Sequence, residues 1–278
     1  MPTDTVHPII FTDLDGTLLD HKSYSVDPAD RLIRQLSESA IATVIPVTSK
    51  TLAELQSLQR SLPIPETASV TENGSLIFSP SGVPFRSDGK AHELLTGISY
   101  SAILAALGML PRSFRQHITG FSDMSVNEVA NATGLSITDA ELAKQRNATE
   151  PFLWTGSDAA LNELRSLMAD RNISIQQGGR FYHFTGPATK SLAMNRIMSA
   201  FEAQSPERKI VSIALGDGPN DLSMIEAADI GVVMPNPEGV TITSSKPHVR
   251  KAPTSGPHGW CLAIREIIAE LGLILPES

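Results

Sequence analysis

A single cysteine, Cys261, stands in a chain of 278 residues, so no intramolecular disulfide can form and no cysteine-rich zinc site can be built. Within GWCLAIREII it reads as a thiol packed on the core side of a helix. Clustered positive charge is missing too. With 22 Lys and Arg against 30 Asp and Glu, the net charge is −8, which argues against a nucleic-acid or anionic-membrane partner. An anionic substrate must therefore find its positive charge locally. No apolar run, Ile41 to Val47 included, approaches the roughly 18 residues of a membrane span. The start MPTDTVHPII has neither a basic segment nor a long apolar one, so a cytoplasmic protein is expected. Repeats and low-complexity tracts are absent. What remains, 41% hydrophobic and 19% charged, is the balance of a globular chain, and at about 150 residues per domain the length suits one large domain or two modest ones.

HPIIFTDLDGT reads as a buried strand that stops in an acidic, glycine-containing loop. DPADRLIRQLSES has helical spacing, IATVIPVT reads as a second buried strand, and Thr51 with Glu54 forms a capping box that opens another helix. Strand, helix, strand, helix implies a parallel sheet. TASVTENGSLIFSPSG adds two strands around a turn at Asn73-Gly74. From about Pro84 helices mix with short strands, with a second capping box expected at Thr138 and Glu141. The last stretch returns to the first rhythm: TKSLAMNRIMSAFEA as helix, with Met194 and Met198 on its core side, then IVSIALGDGPND as strand and loop. Met234 to Pro257 reads as loop, and WCLAIREIIAELG as a closing helix. The expectation is an α/β protein: a core of residues 1–86 and 187–278 with a parallel sheet, interrupted by an inserted α/β domain of residues 87–186.

In open parallel sheets ligands gather beyond the carboxyl ends of the strands, and TDLDGT and GDGPND each follow such a strand. Asp13, Asp15, Asp217 and Asp221 packed at one edge would repel one another, and a hard cation, Mg²⁺ first, is the simplest compensation. Mg²⁺ on carboxylates points to phosphoryl chemistry, in which one aspartate attacks phosphorus and another carries the proton. Gly16 permits close approach of the backbone, Thr48 and Ser49 offer hydroxyl and amide donors, and Lys190 offers positive charge. DLDGT is not an EF-hand loop, since Leu18 and Tyr24 stand where glycine and glutamate belong. GDGPND is not a dinucleotide fingerprint, since Asp221 replaces the third glycine. A metal-dependent glycosyltransferase can also use Asp-x-Asp, but has no need of GDGPND, Lys190 and a strand-end hydroxyl together. A non-catalytic sugar-phosphate binding protein would be expected to have lost the nucleophile or a metal ligand.

DLDGT (13–17), VTSK (47–50), Lys190 before a helix and GDGPND (216–221) together resemble the four motifs of the haloacid dehalogenase-like phosphatases. The insertion between the second and third motifs resembles the subclass with a large α/β cap over a Rossmann-like core. That resemblance implies an aspartyl-phosphate mechanism with Mg²⁺. Asp13 would be the nucleophile, Asp15 the general acid and base, Thr48 a phosphate binder and Lys190 a stabiliser of phosphoryl charge. Asp13, the Asp15 carbonyl and Asp217 would hold the metal, supported by Asp221 and Asn220. TENGSLIF, GFSDMSVNEVANATGLS, RNATEPFLW and GGRFYHFTG further resemble the mannosyl-3-phosphoglycerate phosphatase family over nearly the whole chain. Its implied substrate is a phosphorylated glycosyl-glycerate, mannosyl or glucosyl, and its implied product a compatible solute; a broader sugar-phosphate phosphatase is the alternative. GPATKSLA departs from the family pattern, with Thr189 and Ser191 where Asp and Gly are more usual. For the substrate, Arg180 after Gly178-Gly179 is the expected carboxylate partner, with Arg146 second. Ser49, Lys50 and Asn73 complete the expected binding set, while His183 in RFYHF reads as a packed strand residue.

Overall fold

The computed structural model describes residues 6–177, 181–237, 239 and 241–276. In chain order these give β1 (Val6–Thr12), α1 (Ala29–Glu38), β2 (Thr43–Pro46), α2 (Leu52–Ser61), β3 (Ser69–Thr71), β4 (Leu76–Ser79) and β5 (His92–Leu95). Next come α3 (Tyr100–Gly108), α4 (Arg112–Arg115), β6 (Ile118–Gly120), α5 (Val126–Thr133), α6 (Ile137–Ala143), β7 (Thr149–Trp154), α7 (Asp158–Ala169), β8 (Ser174–Gln177) and β9 (Tyr182–Thr185). The chain closes with α8 (Lys190–Gln204), β10 (Lys209–Gly216), α9 (Leu222–Ala227), β11 (Ile230–Val233), β12 (Val249–Lys251) and α10 (Gly256–Glu270).

Five parallel strands in the order β12-β11-β10-β1-β2 form the central sheet. Both its faces are covered, which is why β1 reads as a continuous apolar run rather than an alternating one. The period of two still sorts the side chains. Ile10 joins Leu32, Leu36, Trp260 and Ile264 under α1 and α10, whereas Ile9 and Phe11 join Ala193, Met194 and Ile197 of α8 on the other face. Cys261 lies in the first of these clusters, and burial pushes its thiol up to about 11. Met194 and Met198 are buried in the second, as their spacing suggests. The segment after Met234 contains, against expectation, the edge strand β12; its three residues pair with β11 and have too little pattern of their own to signal a strand.

The register sets Thr12 beside Pro46 and Leu215. Asp13, Val47 and Asp217 therefore emerge together at the carboxyl end of the sheet, and the chain's acidic loops face one crevice. A second sheet, β3-β4-β5, is antiparallel and joins the first through a bridge between Val47 and Val70. β5 lies beyond the expected boundary at residue 86 and pairs with β4 of the core. The β3–β4 turn is a single 3₁₀ turn, Glu72–Gly74, in which Glu72, Asn73 and Gly74 all take positive φ. At Gly74 (φ 99°) an added Cβ would lie 2.2 Å from the Thr189 carbonyl oxygen, so only glycine lets this turn sit against the start of α8.

The insertion is a four-stranded antiparallel sheet, β6-β7-β9-β8. One face packs on α3 and α7 through Ile103, Leu161, Leu164, Phe152 and Phe184. α5 and α6 form their own cluster with Phe121 and Met124, packed against Leu153 and Phe181. The caps differ from expectation here. α6 starts at Ser136, whose hydroxyl accepts the Asp139 N–H, because burying Ala140 and Ala143 fixes the phase of the helix; Thr138 falls inside it. α5 carries a full capping box, Ser125 with Glu128. Among the described residues no helix is long and apolar enough to cross a membrane.

A buried carboxylate ties the insertion to the core. Glu72 has no exposed surface and accepts from the N–H groups of Asn147 (2.7 Å) and Ala148 (3.2 Å) and from the Thr149 hydroxyl (2.6 Å), with Arg146 Nε at 3.4 Å. The Thr51 hydroxyl adds a bond to the Leu142 carbonyl at 3.0 Å while accepting the Glu54 N–H. Thus TENG and RNAT, far apart in sequence, hold one another.

Candidate active site

Lys190 is the centre of the buried charge network. Its Nζ donates to Asp13 Oδ1 and Asp221 Oδ1, each at 2.6 Å, and to the Val47 carbonyl at 3.3 Å. Burial pulls the ammonium down, but the two carboxylates outweigh it and hold Lys190 above the ordinary lysine value. Asp13 is pushed well above the carboxylate range by burial, against the pull of Lys190 and reinforced by Asp221 and Asp15. The helix that presents Lys190 is capped by Thr189, whose hydroxyl accepts the Leu192 N–H at 3.2 Å and bonds Ser191. Thr189 thus does the capping, with Ser191 bonded to its hydroxyl, at the position where the chain departs from the pattern it resembles.

Asp15 turns the other way. Its Oδ2 pairs with Lys50 at 2.9 Å, while its Oδ1 is buried with no hydrogen-bond partner among the described residues. Burial opposes the Lys50 charge, yet Asp15 and Glu54 hold the ammonium above its usual value, and it lies 5.5 Å from the centre of the Tyr24 ring. Asp13 and Asp15, two residues apart, are therefore separated by their partners. Thr48 is fully buried: its N–H donates to Val70, its carbonyl accepts from Asn73, and its hydroxyl accepts the Lys50 N–H at 3.1 Å. Ser49, not Thr48, lines the cavity described below.

On the opposite wall Asp217 is pushed up to about 6, first by burial and then by Asp221, with His21 and Lys190 pulling against them. Asn236 donates to Asp217 Oδ2 at 2.8 Å. Sequence reasoning missed Asn236; its only signal is its place just beyond the end of β11. Gly16 (φ 76°) faces the same carboxylate, and an added Cβ would come within 2.5 Å of Asp217 Oδ2. Asn220 donates to Asn73 Oδ1 at 3.1 Å, which links GDGPND to the TENG turn.

Asp13, Asp217 and Asp221 each offer a carboxylate oxygen within 4.8 Å of the others, all buried. Three such oxygens, buried and close together, are a donor set that a hard divalent cation fits. Asp221 is already engaged, however: Oδ1 holds Lys190 and Oδ2 accepts the N–H groups of Asp217 (3.1 Å) and Gly218 (2.9 Å). That leaves Asp13 and Asp217 as the better side-chain ligands, with Asp221 fixing the loop.

These groups form the floor of a cavity of about 290 Å³. Asp13, Asp15, His21, Ser49, Asp217 and Asn236 line its lower part; Gln176, Gln177 and His183 line the roof, from β8 and β9. A second cleft of about 410 Å³ runs along the seam between α2 and α6, with Lys50 and Tyr24 at its edge. Arg146 is elsewhere than expected. Its side chain is 4% exposed and its guanidinium is bound to Glu72 and Thr149, so it is engaged in the clasp rather than free for a substrate carboxylate. Arg180, with Gly178 and Gly179, lies outside the described residues.

A family profile described as haloacid dehalogenase-like hydrolase matches residues 10–94 and 129–246. The chain is 33% identical over 269 residues to a protein of Persephonella marina named glucosyl-3-phosphoglycerate/mannosyl-3-phosphoglycerate phosphatase, covering 95% of this chain and 98% of that one. To a protein of the same name from Methanococcoides burtonii it is 34% identical, covering 94% and 97%. Among solved structures, a phosphatase of the haloalkanoate enzyme superfamily from Bacteroides thetaiotaomicron superposes with a TM-score of 0.64 at 15% identity, covering 99% of this chain and 98% of that one. The sucrose-phosphatase of Synechocystis does so with a TM-score of 0.59 at 15% identity, covering 96% and 98%. At that identity the likeness is one of fold: a parallel core with an inserted cap.

Proposed function

The chain belongs to the haloacid dehalogenase-like hydrolase family, and on that premise we propose that this phosphoric monoester hydrolase is a Mg²⁺-dependent phosphatase of glycosylated 3-phosphoglycerates, mannosyl first and glucosyl second. The observation that carries the chemistry is the buried Asp13–Lys190–Asp221 network beside Asp217 on the floor of a roofed cavity. The substrate class is supported by the two relatives of that name, each matched along nearly its whole length.

On this reading Lys190 fixes the Asp13 carboxylate for attack on phosphorus. The P–O bond to the glycerate oxygen breaks as the Asp13–phosphorus bond forms. Asp15, whose Oδ1 has no partner among the described residues, donates the proton that the departing oxygen needs. It then takes a proton from the water that attacks the phosphoaspartate, and Asp13 is freed. Lys190 and the Ser49 segment neutralise developing phosphoryl charge, and Thr48 holds that segment in place through its own buried bonds. Asp13, Asp217 and the Asp15 carbonyl would hold Mg²⁺, with Asp221 and Asn220 bracing the loop. When bound, Mg²⁺ supplies the positive charge that offsets the carboxylates and polarises the phosphoryl oxygens. Lys50 and Asn73 face the leaving group, and Arg180 takes the glycerate carboxylate. Arg146 contributes through the Glu72 clasp. The enzyme works in the cytoplasm, and its glycosyl-glycerate product is a compatible solute.

Phosphate release from mannosyl-3-phosphoglycerate, glucosyl-3-phosphoglycerate and a panel of simple sugar phosphates, with Mg²⁺ or with EDTA, tests this. The expected result is a strong preference for a glycosyl-phosphoglycerate that vanishes in EDTA. Equal cleavage of simple sugar phosphates would leave a broad phosphatase and reject the proposed substrate.

A further inference from the structure

The roof of the catalytic cavity carries a polar group that the phosphatase mechanism does not use. On β9 the alternation of the strand sends Tyr182 and Phe184 toward the cap's apolar core, where Phe184 stacks on Phe152 with centroids 4.1 Å apart. His183, between them, points to the opposite face and into the cavity that also holds Asp13 and Asp15. Gln176 sits directly across from it on β8 and lines the same wall. His183 Nδ1 is buried and has no hydrogen-bond partner among the described residues. A buried ring nitrogen left unmatched costs stability, so its presence in a ligand cavity calls for a ligand atom to meet it.

The kind of ligand follows from the charge state and the neighbours. Burial first, and the guanidinium of Arg146 second, push His183 down to about 3, so the ring is neutral at any physiological pH. A neutral imidazole donates from one nitrogen and accepts at the other. Carboxylate and phosphate oxygens only accept, and they are better served by cations; a hydroxyl both donates and accepts, which matches a neutral imidazole beside a carboxamide. Gln176 is oriented for this by its side-chain amide, whose Nε2 donates to the Ala188 carbonyl at 3.3 Å.

We propose that His183, with Gln176 beside it, is a hydroxyl-binding subsite in the roof of the cavity, which selects for phosphate esters whose leaving group is polyhydroxylated. The subsite rests on the phosphatase reading above and deepens it: the floor performs the hydrolysis, and this pair reads the sugar or glycerate hydroxyls of what departs.

The test compares wild type with His183→Ala, His183→Asn and His183→Phe on two esters: the glycosyl-3-phosphoglycerate that wild type cleaves best, and p-nitrophenyl phosphate, whose leaving group has no hydroxyl beyond the one released. The measured quantity is the ratio of kcat/KM on the first ester to kcat/KM on the second. His183→Ala is expected to lower that ratio at least tenfold, mainly through KM on the glycosyl ester, and His183→Phe to lower it as much. His183→Asn, which restores a donor and an acceptor near Nδ1, recovers part of it. A ratio unchanged in all three variants, whether or not both activities fall, makes His183 a packing residue and overturns the subsite; so does Phe restoring the ratio as well as Asn. Failure of the parent reading looks different. Wild type that prefers simple sugar phosphates rejects the glycosyl-phosphoglycerate substrate, and the same ratio on the preferred sugar phosphate still decides the subsite. Wild type that cleaves p-nitrophenyl phosphate alone overturns both.

Discussion

The floor and the roof of the cavity are built on different principles. The carboxylates of the floor sit within a few residues of a strand's carboxyl end, and each is held by a short bond: Asp13 and Asp221 to Lys190 at the first turn of α8, Asp15 to Lys50 and Asp217 to Asn236. The roof is a face of the antiparallel cap sheet, held across the seam by the buried carboxylate of Glu72, which reaches four consecutive residues of the cap, and by the Thr51 hydroxyl on the Leu142 carbonyl. The difference teaches where each half of the proposed function would be stored: the chemistry in contiguous motifs, and the choice of substrate in tertiary pairing.

The comparison can be broken at either half, and the largest effect is expected on the floor. Asp13→Asn removes the proposed nucleophile and should lower kcat by about 10³ or more, with KM changed far less, in steady-state phosphate release. Lys190→Ala should cost about 10²-fold or more in kcat and also destabilise the fold by about 3 kcal/mol or more, because Asp13 and Asp221 are left buried without their counter-charge; urea unfolding checks the second part. At the seam, Glu72→Gln leaves Arg146 buried without its partner, with an expected loss of about 3 kcal/mol in the same unfolding measurement. Because Glu72 touches none of the floor carboxylates, that variant should weaken discrimination between substrates more than it lowers turnover of p-nitrophenyl phosphate.

A pH experiment sharpens the same contrast. Asp217 has its folded value raised to about 6, so its contribution to stability is present below the ordinary carboxylate value near 4 and is lost as pH rises through about 6. In EDTA, Tm should therefore fall as pH rises from about 4 to 6, and Asp217→Asn should flatten that slope. Mg²⁺ should raise Tm above pH 6 and lose its effect below it, because the ligand must be deprotonated. The smallest effect is expected from Thr51→Val, which deletes a helix cap and one seam bond and should cost about 1–2 kcal/mol without altering the order of substrate preference.

Much of the floor was legible in the sequence because its residues follow apolar runs at fixed short spacing, and the register of β1, β2 and β10 brings those run-ends together. The parallel core, the insertion and the capping box at Thr51 were legible for the same local reasons. Asn236 was not, since nothing local separates it from other polar residues of a proline-rich loop. Glu72 was not either: a charged residue in a turn reads as solvated, and only the cap's backbone explains its burial. The same pairing accounts for Arg146, whose charge pattern fits a substrate carboxylate as well as a buried glutamate until the partner is seen. Thr138–Glu141 and Ser136–Asp139 offer the same capping signal two residues apart, and the burial of Ala140 and Ala143 decides between them. His183 shows the limit most clearly, because strand alternation in RFYHF tells which residues share a face but not which face looks onto Asp13.

The central claim, that the floor transfers phosphate from a glycosylated 3-phosphoglycerate to Asp13, is tested most directly by acid-quenching a single turnover of mannosyl-3-phosphoglycerate with Mg²⁺ and mapping covalent phosphate by mass spectrometry. The account predicts phosphate on the peptide containing Asp13, present in wild type and absent from Asp13→Asn. Full release of phosphate with no adduct at any quench time, or an adduct on another residue, would contradict it.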